Sequence, residues 1–453
     1  MKRLIFIYLS LLISIVTFGQ SPNTLSNKND ALTREIAHIS VDDKITVDST
    51  WSILSGWNKY PEISNTKRWV LFLYKDSIFG TIPLKIYIPE NYRNYASSPA
   101  VLILHGAVTL SSFKDAYKDT LSDEDLFYSY FAKQNFIIIR PFADSYGPNA
   151  DGKINFDWVL NRFNGQQYRN KTNPTFQSLV AIISQLKQVL NIDDNEVFAF
   201  GHSDGADGVF ALEVYKPSAF AGFIVYNSML TNLRSYDIYL RNTVNRPLYL
   251  VHSDLDDLRT IQKTRSIVKI LDSLNSPVLY KEYIGYQHYD KHLQKDLPYS
   301  YEWLKGISRN SFQNNITWEM SDPTNNTCDW MRVLQIDTTG AAALWHTELN
   351  ALLYNKRDKV YTNIPYYDLN KSAAIKAYYN NNVFEINTSR IKEIELLISP
   401  IMVNLQNPVI VKVNGKEVFN KKITADKVFL LKNFTTSLDR KAIWVTSVKL
   451  ITN

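Results

Sequence analysis

The chain has 453 residues, 45% of them hydrophobic and 21% charged, which excludes a disordered chain and exceeds one ordinary core, so two domains with smaller additions are expected. Its formal charge of +6 comes without a basic stripe and so gives no reason to expect a nucleic-acid partner. The single cysteine, Cys328, excludes an intrachain disulfide and is expected to be a packed thiol.

Met1-Lys2-Arg3 and the apolar run from Leu4 to Val16, broken only by Ser10 and Ser14, have the form of an export leader over residues 1–19. The run is short for a spanning helix, and no cysteine follows it to carry a lipid. The expectation is a periplasmic or secreted protein with no stable membrane insertion after leader removal. Residues 20–67 form a polar N-terminal arm, weakly helical from Ala31 to His38, expected to pack on the domain that follows.

From Trp69 the pattern changes. Trp69–Tyr74 and the alternating Ile82–Pro89 are predicted strands, and Val101–Leu104 and Phe136–Ile139 are continuous apolar runs typical of strands buried on both faces. Between them Ser122-Asp-Glu-Asp125 has the form of a capping box opening a helix to about Gln134. Pro174 to Leu190 is a predicted helix with one apolar face. Further strands are predicted at Phe223–Tyr226, Leu248–Val251 and Leu279–Tyr283, with helices at about Leu258–Leu274 and near Tyr301–Leu304. Alternation of this kind over 68–310 predicts an α/β domain with a mainly parallel sheet, whose chemistry gathers at the C-terminal ends of its strands. Beyond it, 315–453 carries short alternating runs. These include Val409–Val413 and Lys416–Phe419 around the turn Asn414-Gly415, with further strands at Ile394–Ile398, Val428–Leu431 and Ile443–Ile451. A C-terminal β-sandwich is expected.

The chain is organised around Val197-Phe-Ala-Phe-Gly201-His-Ser203-Asp-Gly205-Ala-Asp-Gly208. A G-x-S-x-G that follows a buried strand and opens a helix forces its middle residue out of the sheet at a sharp, strained turn. Ser203 is therefore the candidate nucleophile, at a helix N-terminus that favours a developing oxyanion. A serine hydroxyl needs a base and an orienting carboxylate. Of seven histidines, His288 lies in a loop just past the strand ending at Tyr283; its rival His292 sits in a Lys-rich stretch read as a solvated helix start. Of the three carboxylates after Leu248–Val251, Asp256 is the candidate acid. Asp257 is read as an N-terminal helix carboxylate and Asp254 as a loop-shaping residue. The oxyanion donors are expected at the N–H groups of Asp204 and Ala107, with His105, His202 and His252 packing and hydrogen-bonding nearby.

The series Leu104-His-Gly106, Gly201-His-Ser-Asp-Gly-Ala206, His252-x-Asp-x-Asp256 and Gly285-x-x-His288 resembles the α/β-hydrolase superfamily. Within that superfamily it is most similar to the branch of feruloyl esterases and polyhydroxybutyrate depolymerases, as is the stretch Lys85–Tyr92. The resemblance runs from about Trp69 to Ser308. It implies an eight-stranded hydrolase sheet, the triad Ser203, Asp256 and His288, and cleavage of carboxylic esters, whether small molecules or acylated polysaccharides and polyesters. The same series resembles prolyl-oligopeptidase-type catalytic domains, which keeps a peptidase open as an alternative. A non-catalytic binding protein on a hydrolase scaffold is the third reading. The aromatic segment 142–173, with Tyr146 and Trp158, is either a covering loop or a subsite wall over Ser203. No metal-ligand spacing is visible and no cofactor is expected.

Overall fold

The computed structural model describes residues 24–77, 80–110, 125–143, 145–146, 154–156, 158, 175–229, 238–355 and 360–452. The leader read at 1–19 lies outside them. Among the described residues no helix is long and apolar enough to cross a membrane.

Eight strands form the main sheet: β1 (Arg68–Asp76), β2 (Gly80–Ile88), β3 (Ser98–Leu104), β4 (Ile137–Arg140), β5 (Ile192–His202), β6 (Gly222–Tyr226), β7 (Leu248–Ser253) and β8 (Val278–Tyr283). Their spatial order is β1-β2-β4-β3-β5-β6-β7-β8, and only β2 runs against its neighbours. Alternation along each strand sends residues to opposite faces. Ala100, Leu102 and Leu104 of β3 meet one core, while Val101 and Ile103 meet the other. The first core is closed by α4 (Thr175–Val189), α5 (Asp204–Tyr215) and α6 (Ile261–Ser273). The second is closed by α3 (Leu126–Lys133) and α7 (His292–Lys305). A sheet so ordered, helices on both faces, with a sharp turn after β5, is the α/β-hydrolase fold.

The described C-terminal region contains a two-stranded sheet, Asn350–Asn355 with Val360–Pro365, and two larger sheets. Asn315–Met320, Ala373–Asn380, Val383–Ser389, Val409–Val413 and Lys416–Lys421 make one; Thr327–Cys328, Met331–Ile336, Ile391–Ile398 and Thr446–Ile451 make the other. They share one apolar core containing Trp318, Trp330 and Phe384. Cys328 is buried in the same core, which raises its thiol well above the ordinary value. Val413 pairs with Lys416 across Asn414 and Gly415, both at positive φ, the backbone a two-residue turn requires.

Three sequence expectations fail here. Val428–Leu431 is not a strand: it lies in α8 (Lys427–Ser437), whose first turn is capped by the Asp426 side chain accepting from the amides of Val428 and Phe429. Apolar residues at 430, 431 and 434 satisfy a helical face as well as a strand, and the cap decides between them. The N-terminal arm, α1 (Asp30–Val41) and α2 (Val47–Ser55), does not take the adjacent domain as its main partner. Leu32, Ile39, Leu54 and Trp57 share a core with Leu430, Leu431 and Phe434 of α8; the arm meets the sheet at Leu25, whose N–H donates to the Leu71 carbonyl at 2.7 Å. The helix cap expected at Ser122 is supplied by Asp125.

The sheet and the C-terminal region are joined by buried ion pairs. Arg309 binds both oxygens of Asp439, at 2.6 and 2.8 Å; Lys187 and Arg440 converge on Asp194 at 2.7 and 2.8 Å. Burial works against charge on Asp439, but Arg309 and Lys187 outweigh it and hold the carboxyl well below its usual value. Because this folded-state value is lowered, the contribution exists above the unfolded value and is lost as pH falls below about 4. Asp439→Leu leaves the Arg309 charge buried without its main partner, and a loss of about 3–5 kcal/mol is expected in urea unfolding at pH 7. The difference from wild type should shrink when the titration is repeated at pH 3.

Candidate active site

Ser203 occupies φ 60°, ψ −124° between the end of β5 and the start of α5. Such a conformation is strained for a residue with a side chain, and the surrounding packing has to enforce it. The glycines permit that packing. A Cβ on Gly201 would lie 2.3 Å from the carbonyl carbon of Gly205, and one on Gly205 would lie 2.1 Å from the Leu104 oxygen. The helix therefore starts almost in contact with β3 and β5. The Ser203 N–H donates to the Tyr226 carbonyl at 3.0 Å, which ties the turn to β6.

The structure brings Ser203, His288 and Asp256 into one line. Ser203 Oγ is 2.8 Å from His288 Nε2, and His288 Nδ1 is 2.7 Å from Asp256 Oδ2. A carboxylate only accepts, so Nδ1 carries the proton and Nε2 faces the hydroxyl as an acceptor. This is the arrangement by which an imidazole can take a proton from a hydroxyl while a carboxylate stabilises the resulting charge. Asp256 is buried, which opposes its charge. Hydrogen bonds from His252, His288, Asn227 and the Arg259 amide prevail and hold its carboxyl far below the usual range.

The rival histidine is placed differently from its sequence reading. His292, expected on a solvated helix start, is fully buried at the start of α7. Its Nε2 is 3.1 Å from Asn227 Oδ1, not from Ser203, and burial lowers its value to about 4. The other two carboxylates also separate. Asp254 accepts from the Gly285 N–H at 2.7 Å and so braces the His288 loop. Asp257 does not open a helix, because α6 begins at Ile261 with Thr260 as its cap.

Two further histidines beside the line have their values lowered by burial, His105 to about 4 and His202 to about 3. His105 Nδ1 donates to the Gly106 carbonyl at 2.6 Å while its Nε2 accepts from the Ala143 N–H at 3.1 Å. That fixes the loop carrying Ala107. A Cβ on Gly106 would lie 3.7 Å from the Ser203 Cβ, so the loop passes beside the serine. His202 Nε2 donates to the His288 carbonyl at 3.0 Å, and its ring lies tilted against the His288 ring with centroids 4.9 Å apart.

Trp158 is not exposed as a subsite wall. It is fully buried, donates from Nε1 to the His105 carbonyl at 2.9 Å and packs on Gly208; its ring supports the loop from beneath. Tyr146 belongs to a small sheet formed by Val108–Leu110, Ser145–Tyr146 and Ile154–Phe156, but its side chain lies outside the described residues, as does most of the 142–173 segment.

Two neighbours were not legible as site residues. Asn227, directly after β6, donates to Asp256 Oδ2 at 2.8 Å; a polar residue at the C-terminal end of a buried strand is the signal that would have found it. Arg259 offers its amide to Asp256 Oδ1 at 2.8 Å, and its guanidinium binds both Asp204 and Asp207 of α5. It thus ties the acid's loop to the helix that follows Ser203. Among the described residues no group of three or more His, Cys, Asp or Glu side chains could hold a metal ion.

No protein-family profile matches the sequence, and no curated protein matches it. Solved structures with a similar fold include a thermostable esterase at 20% identity and TM-score 0.41, covering 53% of this chain and 63% of that one. Porphyromonas gingivalis dipeptidyl peptidase 4 is similar at 14% identity and TM-score 0.40, covering 54% and 36%. The substrate-bound fluorophosphonate-binding serine hydrolase F (FphF) of Staphylococcus aureus is similar at 14% and 0.38, covering 53% and 99%. The chain thus spans less than two thirds of the first two.

The close approach at the turn has a direct test. Gly205→Ala must push α5 away from Leu104, and a loss of about 1–3 kcal/mol or more is expected in thermal unfolding. Gly306→Ala, whose Cβ would meet only the Trp303 oxygen at 3.6 Å, should leave the melting temperature close to wild type.

Proposed function

We propose that the protein is a serine hydrolase that cleaves carboxylic esters through an acyl-enzyme. The observation that carries this reading is a serine in the strained turn after β5, hydrogen-bonded at 2.8 Å to an imidazole whose other nitrogen holds a buried carboxylate. Ser203 attacks the ester carbonyl as His288 Nε2 accepts its proton, and Asp256 stabilises the imidazolium. The tetrahedral oxyanion is received by the N–H groups of Asp204 and Ala107; each such donor contributes about 3–4 kcal/mol to the transition state. His288 returns the proton to the departing alcohol, then activates water to release the acid from Ser203. The buried, neutral His105 and His202 take no proton step; they fix the loops on either side of the serine.

The proposed substrates are esters, including the acyl groups of polysaccharides and polyesters, met outside the cytoplasm by a protein whose first 19 residues direct its export. The motif series at Leu104–Gly106, Gly201–Ala206 and Gly285–His288 supports the ester class. Ser203→Ala should lower turnover of a short-chain p-nitrophenyl ester by at least about 10⁴-fold with an unchanged melting temperature. Retained turnover in that variant removes the proposal. Parallel assays on dipeptidyl amides decide against the peptidase reading if only esters are cleaved, and failure of wild-type Ser203 to react with a fluorophosphonate would favour a non-catalytic scaffold.

A further inference from the structure

Asp256 Oδ2 is shared. It accepts from His288 Nδ1 at 2.7 Å and from Asn227 Nδ2 at 2.8 Å, while Oδ1 accepts the amides of Leu258 and Arg259. Asn227 is itself fully enclosed, in a left-handed backbone conformation at φ 52° immediately after β6. Its second Nδ2 proton goes to Ser253 Oγ at 2.7 Å, and the Ser253 proton is committed to the Gln287 carbonyl at 2.9 Å. Its Oδ1 faces His292 Nε2 at 3.1 Å. An amide oxygen only accepts, so His292 Nε2 is the donor.

One amide orientation alone satisfies every partner. Turned over, Asn227 would set its oxygen against the Asp256 carboxylate, a repulsive contact in a buried site that no change of tautomer relieves. The Asp256 carboxylate therefore sets the polarity of Asn227, the His292 N–H holds the other end of the amide, and Asn227 presents a fixed donor to the carboxylate that orients His288. We propose that Asn227, locked by His292, is a positioning residue for Asp256: it holds the carboxylate in register with the His288 ring and limits how strongly Asp256 draws the proton on Nδ1. The inference rests on reading Ser203, His288 and Asp256 as a catalytic triad.

A carboxylate deprived of one donor is a more basic partner and favours the imidazolium. The charged and titratable groups around this line are His252 beside Asp256, His202 over the His288 ring, Arg259 with Asp204 and Asp207, and Asp290 and Asp296 on the His292 side. None of them is itself replaced by substitution at 227 or 292. The test reads the His288 ring titration by NMR without substrate, together with kcat and KM on a p-nitrophenyl ester.

In Asn227→Ala the His288 midpoint should rise by about half a unit to one unit. Its kcat should fall by about 10- to 100-fold with KM within about threefold. Asn227→Asp, which tolerates the same backbone and sets a carboxylate against a carboxylate, should raise the midpoint further. His292→Leu should follow Asn227→Ala in direction, and His292→Gln, which keeps an N–H in reach, should restore values near wild type. A folded Asn227 variant with an unchanged His288 midpoint overturns the proposal even if kcat falls, and so does His292→Gln behaving like His292→Leu. Should neither Asn227 variant fold, the His292 pair decides alone. A wild type that neither turns over esters nor reacts with a fluorophosphonate overturns the triad reading instead, while the substrate-free titration still decides what Asn227 does.

Discussion

The near-contact of α5 with β3 is the constraint on which the rest of the site depends. Gly205 can lie against the Leu104 carbonyl only because it has no Cβ, and Gly201 has the same need against Gly205. Once helix and strand are that close, the chain between them has no room for an ordinary turn. Ser203 is left at positive φ with its hydroxyl directed at His288. The strain is modest, of order 1–3 kcal/mol, and the packing of two cores on the sheet is ample to hold it. Trp158 adds to that packing from below, filling the space beside Gly208 and holding the His105 carbonyl.

On the acid side the design is different. No strain is stored at Asp256. Its carboxylate is instead surrounded by donors from four directions: His288, Asn227, His252 and the backbone at 258–259. A buried charge survives only when its hydrogen bonds replace the water it has lost, and here they more than do so. Arg259 links this loop back to α5 through Asp204 and Asp207. The two halves of the line are thereby held to one another as well as to the sheet.

The C-terminal region meets the sheet at the opposite end from Ser203, near the starts of the strands. Arg309, Lys187, Asp194 and Asp439 are buried there, with Arg440 half-buried beside them, in alternating charge, a pattern that fixes the register of two surfaces more than it adds stability. The arm's helices then use α8 to close the remaining apolar face. The buried tryptophans of the two larger C-terminal sheets serve their own core, in keeping with the packing role of aromatic residues in β structure.

Much of this was legible in advance, for identifiable reasons. Apolar runs such as Val101–Leu104 and the G-x-S-x-G after a buried strand are local patterns. The strands, the α/β class and the position of Ser203 follow from them because burial on both faces and a glycine-demanding turn leave a mark in consecutive residues. Val428–Leu431 was misread because four apolar residues satisfy both periods and only the Asp426 cap separates them. His292 was misread because its polar neighbours suggested solvent, whereas the helix turns that one side chain inward. The roles of Asn227, Arg259 and α8 depend on contacts that no local pattern reveals. Their partners are 29, 55 and hundreds of positions away. The amino-acid sequence by itself determined which groups could do chemistry; tertiary structure alone decided which donors surround Asp256, because a buried carboxylate is stabilised by whatever folding brings within about 3 Å of it.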